Sequence, residues 1–116
     1  ADNDARTKNG TAYFAVEKSE LAEKWYAQVL QNNPNDLNVR TGLARTFFLR
    51  TPRDIDRAIK EYKTSLETDT NHEITLQNLA LAYTENGDKA SLVQTLERLK
   101  KVNPNNPVIK KAEAAN

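Results

Sequence analysis

Two apolar stripes separated by Asn86-Gly87-Asp88 constrain this chain more than any other feature. Over Glu73 to Asn106, Leu76, Leu79, Leu81, Ala82 and Tyr83 recur at helical spacing. The Asn-Gly-Asp triplet then breaks the run. Leu92, Val93, Leu96, Leu99 and Val102 form a second stripe, and Pro104 closes it, because proline cannot continue a helix. The stretch predicts a helix, a tight turn and a second helix within 34 residues. A pair of this size buries its apolar faces only against neighbours, so similar units are expected beside it.

They are found upstream. Residues 37–72 hold Leu43, Ala44 and Phe47 on a first helix and Ala58, Ile59, Tyr62, Ser65 and Leu66 on a second. The unit is 36 residues long, and the extra residues fall in the turn Thr51-Pro52-Arg53-Asp54-Ile55. Pro52 stops the first helix there, and Thr51 or Asp54 can cap the second. Residues 3–36 give a further pair, with Gly10 and Tyr13 on a polar first helix and Ala22, Tyr26, Val29 and Pro34 completing the second. Beyond the last unit, Asn106 is a good N-cap and Pro107 a good first helical residue. A short capping helix is expected over about 107–115, laying Val108, Ile109 and Ala112 on the end of the stack. Asn residues crowd the joints, where they can adopt left-handed backbone and cap the following helix. The whole chain reads as one all-α domain.

Composition excludes several functions. The net charge is +1, so no strong field draws the chain onto nucleic acid or an anionic membrane. No apolar run is long enough to span a bilayer. There is no cysteine, which removes disulfide and thiol chemistry. His72 is the single histidine, so a multi-histidine metal site is excluded and a cap or surface role is expected. Glu17, Glu20 and Glu23 are spaced as an exposed helix face rather than as a paired acid and base. Glycine, at 3 residues, is too sparse for a phosphate loop. No cofactor and no enzymatic activity are expected. Neither a signal peptide nor an initiator methionine is present, so the chain reads as a processed product or an excised domain. Cytoplasm and bacterial periplasm fit equally well.

With these residues in place, the chain resembles the tetratricopeptide repeat family, whose repeat is 34 residues long. The resemblance rests on Gly10, Tyr13, Ala22, Tyr26 and Pro34 in the first unit. In the second it rests on Leu43, Ala44, Phe47, Ala58 and Tyr62, and in the third on Leu79, Ala80, Tyr83, Gly87, Asp88 and Pro104. Arg6, Arg40 and Leu76 depart from it where the family favours tryptophan, and Thr70 departs where it favours proline. The resemblance implies an α–α superhelix, a solenoid of antiparallel helix pairs whose first helices line a concave groove. It also implies a scaffold that binds a protein or peptide partner.

In that register the groove would be lined by Thr7, Thr11 and Phe14, then Asn38, Thr41, Arg45 and Phe48, then Ile74, Gln77, Leu81 and Thr84. Phe14 and Phe48 follow the core residues Tyr13 and Phe47, and adjacent helical residues cannot point inward equally, so both are expected to be exposed aromatics. The family's two-carboxylate clamp for chaperone tails is not matched, since Thr7, Thr11, Gly42, Ile74 and Asn78 occupy its slots. Residues 37–63 carry a net +4, an alternative footprint for RNA, but the cations fall on several helix faces. Self-assembly into homo-oligomers is a second alternative.

Overall fold

Aspartates set where the helices begin. The computed structural model describes the backbone of residues 10–114 and the side chains of residues 18–114. Six helices follow one another: α1 (Gly10–Asn32), α2 (Leu37–Leu49), α3 (Ile55–Thr68), α4 (Glu73–Asn86), α5 (Lys89–Val102) and α6 (Pro107–Ala114). Asp36, Asp54 and Asp88 each accept a hydrogen bond at 3.1 Å from the backbone N–H three residues on, satisfying a donor left open in the first turn of α2, α3 and α5. Gly87 ends α4 in the left-handed region at φ 72°, where its missing Cβ removes the steric penalty. It is the sole left-handed residue among those described. None of the joint asparagines adopts that backbone, and Asn103 and Asn106 act through their side chains.

Three joints share one shape. In Asn33–Asp36, Asp69–His72 and Asn103–Asn106 the fourth N–H donates to the first carbonyl, at 3.1, 3.3 and 3.1 Å. The first side chain of the second and third joints also accepts from the third N–H, at 3.0 Å. The same short connection therefore sends each new helix back along its predecessor.

Packing is between consecutive helices, with α4 also touching α2 and α6. The described residues form an all-α helical repeat without strands. Helices α2, α4 and α6 make one row, while α3 and α5 sit behind it. Leu43, Ala44, Phe47, Ala58, Tyr62 and Leu66 fill the core between α2 and α3. Leu76, Leu79, Ala80, Ala82, Leu92, Leu96 and Leu99 continue it between α4 and α5. Val108, Ile109 and Ala112 of α6 close it.

The first unit differs from the sequence expectation. Gly10 to Asn32 is one unbroken helix, not the second half of a pair. No glycine, proline or asparagine lies between Thr11 and Gln31, so nothing halts the helix where a turn would be needed. The start of the expected first helix, at residues 3–9, lies outside the described residues.

Glu73 joins the last three helices. Its Oε2 accepts from Asn103 Nδ2 and from Asn106 Nδ2, both at 2.8 Å. These two bonds, Asn103 first, hold the carboxyl below the ordinary glutamate value. A carboxylate with a depressed folded pKa stabilises the fold above its unfolded value, about 4.3. That contribution is lost as pH falls through the lower folded value. Glu73→Gln is therefore expected to lower the urea midpoint at pH 7, with the gap to the parent narrowing at pH 3. Equal midpoints at both pH values would show that the charge contributes nothing.

Candidate functional site

The exposed side of α2 faces α1 on one flank and α4 on the other. Two depressions result. The first, about 570 Å³, is lined by Lys18, Ser19, Ala22 and Tyr26 of α1 and by Gly42, Arg45, Thr46 and Leu49 of α2. The second, about 420 Å³, is lined by Arg45, Phe48 and Leu49 of α2, Tyr62 of α3, and Ile74, Gln77, Asn78 and Leu81 of α4. A smaller one of about 210 Å³ adjoins both and adds Asn38, Thr41 and His72. Arg45 lines all three, so they form one cleft across α1, α2 and α4. No carboxylate among the described residues lines any of them.

Glycine opens the α1 flank. A Cβ on Gly42 would stand 3.0–3.2 Å from the ring tip of Tyr26, so the missing side chain lets the ring lie on α2. Tyr62 forms the floor of the α4 flank. Its burial raises the phenol's pKa, and Arg45 offsets part of that rise. Arg45 itself is exposed, and no carboxylate among the described residues pairs with it. Leu49 stands 61% exposed beside it, and Ile74 is exposed across the cleft.

The residues expected in the groove divide. Asn38, Arg45, Phe48, Ile74, Gln77 and Leu81 come together along the cleft. Thr41 touches only its edge. Its hydroxyl is buried, bonding Ser65 Oγ at 3.4 Å and Thr75 Oγ1 at 3.0 Å, and Thr75 in turn bonds His72 Nδ1 at 2.7 Å. Thr84 turns back on its own helix, donating to the Ala80 carbonyl at 2.9 Å. Thr7, Thr11 and Phe14 lie outside the described side chains. Phe48 is half-buried against the core with the Arg53 guanidinium 5.2 Å from its ring centre, so it is not the exposed aromatic. That description fits Trp25, 57% exposed on α1. Leu49 joins the cleft although the repeat register had not assigned it there; its signal is its place one helical step from Phe48. Asn78, which the register had placed only in a clamp slot, lines it too.

Three of the seven cations of the basic middle unit form ion pairs with described residues. Arg40 pairs with Glu61 at 3.0 Å, Arg50 with Glu23 and Asp54, and Arg53 with Glu85 at 3.2 Å. Arg57 lies over Phe47.

Comparison with known families matches residues 75–106, from within α4 to the joint before α6, to the tetratricopeptide repeat. The chain fits a tetratricopeptide-like repeat protein. The match covers the pair α4–α5, and the six-helix order extends the pattern to either side. Repeats of this family generally mediate protein–protein interactions and are generally non-catalytic. Comparison with curated proteins gives no match. Among the described residues no helix is long and apolar enough to cross a membrane. No cluster of three or more His, Cys, Asp or Glu among them could hold a metal ion.

Proposed function

We propose that this chain is a non-catalytic interaction module that takes an extended or helical segment of a protein partner along the cleft. The observation that carries this reading is Arg45. It is a cation that no described carboxylate pairs with, at the meeting point of three depressions, beside the exposed Leu49 and Ile74. A guanidinium next to exposed aliphatic carbon suits a segment alternating acidic or carbonyl oxygens with apolar side chains. Asn38, Gln77 and Asn78 add amides that can bond a partner backbone. Gln77 is partly engaged already, accepting from Asn106 Nδ2 at 3.1 Å.

A displayed library of random linear dodecapeptides supplies the probe. Peptides selected on the parent domain are expected to shift the backbone amide resonances of Arg45, Leu49, Ile74, Asn78 and Leu81. Arg45→Glu is expected to weaken them about tenfold or more, the range of a central anchor. Phe48 is the wrong residue to test, because its truncation also damages the core. Failure to select any peptide would overturn the proposal, as would shifts confined to another face.

A further inference from the structure

The floor of the cleft holds a donor that the fold does not use. Tyr62 belongs to α3, behind the row of α2 and α4, yet it lines the α4 flank of the cleft with residues of both. It is 1% exposed, and its hydroxyl forms no hydrogen bond with a described residue. No enclosed side-chain oxygen or nitrogen among the described residues lacks a partner, so this hydroxyl opens onto the cleft. The buried threonine and serine hydroxyls around it behave otherwise. Thr41 bonds Ser65 and Thr75, and Thr95 bonds the Ser91 carbonyl. A buried phenol ordinarily finds a partner in the same way. The Arg45 guanidinium acts electrostatically on the Tyr62 phenol and is the one cation lining this flank. Phe48, Leu49, Ile74 and Leu81 supply carbon walls around the two donors.

We infer that Arg45 and Tyr62 form a subsite for one carboxylate of the partner segment, carried on the methylene stem of a glutamate or aspartate side chain. The inference rests on the reading of the cleft as a groove for a protein segment. Charge selects the group. One guanidinium is balanced by one carboxylate, whereas a phosphate dianion would leave charge unmet on a flank with no second described cation. A carboxylate also has two oxygens, enough to accept from the guanidinium and from the phenol together. A carbonyl or an amide would satisfy the hydroxyl and leave the cation unbalanced. The carbon walls suit a methylene stem and lower the local dielectric, which strengthens a charge-assisted bond. In the free fold a buried hydroxyl that meets no protein partner adds nothing to stability, so its contribution lies in what the cleft receives.

N-acetyl-L-glutamate α-amide is the direct probe, with N-acetyl-L-glutamine α-amide as its uncharged counterpart. Each is titrated into the whole chain while the Arg45 side-chain and the Ile74 and Leu81 backbone resonances are followed by NMR. The acid is expected to shift them and to bind about tenfold more tightly than the amide. Tyr62→Phe keeps the ring and removes only the hydroxyl. It is expected to weaken the acid about tenfold and the amide by less than about threefold, because a bond to a charged acceptor is the stronger one. Its melting temperature is expected to equal or exceed the parent's, since no described residue loses a bond. A lowered melting temperature would assign the hydroxyl to the fold and overturn the inference. Equal binding of acid and amide, or an acid response indifferent to Tyr62→Phe, would overturn it as well. So would inorganic phosphate shifting the same resonances at lower concentration than the acid. The peptide selection fails separately. Selected peptides that lie along the cleft without an acidic residue would remove the subsite and keep the groove. An acid response in a domain that selects no peptide would keep the subsite and remove the groove.

Discussion

Phe47→Ala is expected to destabilise the fold by about 3–5 kcal/mol, the usual cost of removing a buried aromatic ring. Phe47 is 2% exposed at the α2–α3 contact. The Arg57 guanidinium lies 4.4 Å from its ring centre and that of Arg50 5.1 Å away. Its carbonyl also accepts from the Asp54 N–H at 2.9 Å, fastening the α2–α3 turn to the same residue. Truncation leaves a cavity in the α2–α3 core, which Leu43, Ala44, Ala58, Tyr62 and Leu66 otherwise fill with it. A chain of this length has a total stability of roughly 6–17 kcal/mol, so one substitution removes a large share of it. Phe47→Leu separates the contributions. It keeps most of the buried volume and loses both cation–π contacts, at a cost of about 1–2 kcal/mol. Urea unfolding followed by circular dichroism measures both variants. A Phe47→Ala loss below about 1 kcal/mol would mean that the α2–α3 contact is not the centre of the core.

Asn106→Ala should release the last helix while leaving the rest of the stack folded. Asn106 is 3% exposed and is bonded on every side. Its Oδ1 accepts from the Val108 N–H at 2.9 Å, capping α6. Its Nδ2 donates to Glu73 at 2.8 Å and to Gln77 at 3.1 Å on α4. Loss of the cap alone costs about 0.5–2 kcal/mol. Loss of the amide also unties α6 from α4. A helix of 8 residues cannot persist without its docking contacts, because nucleation is costly and few turns follow to offset it. Amide hydrogen exchange should therefore quicken from Ile109 to Ala112 while α2 and α3 keep their protection. Asn106→Ser restores the cap without the cross-helix bonds, so its exchange should fall between the two. Unchanged protection of α6 in Asn106→Ala would show that Val108 and Ile109 dock the helix unaided.

Much of the architecture is legible in the residues themselves. The stripes of Leu43, Ala44 and Phe47 and of Leu92, Leu96 and Leu99 fix helix faces, because helical spacing is a local property. Asp54, Asp88 and Asn106 mark helix starts for the same reason: a cap acts within three residues of itself. Extending the repeat upstream gave a helix pair at the start, because the matching residues Gly10, Tyr13 and Tyr26 are compatible with a pair and with a single helix. What separates the two is a break, and this stretch contains none.

The site depended on more than periodicity. Thr41 carries a groove register, yet Ser65 and Thr75 arrive from other helices and bury its hydroxyl. Phe48 and Leu49 differ by one step around α2, and only the crossing of α2 with α3 and α4 decides that the leucine is the exposed one. From residue 37 onward the sequence by itself determined which segments are helices, where they start and stop, and most of the stripe each one buries, since all of these follow from contacts within a turn or two. The tertiary structure alone decided which side chains share the cleft, why Arg45 meets no described carboxylate there, and why Leu21 and Trp25 are exposed. Those outcomes depend on the angles and distances between helices far apart in the chain, which no local pattern encodes.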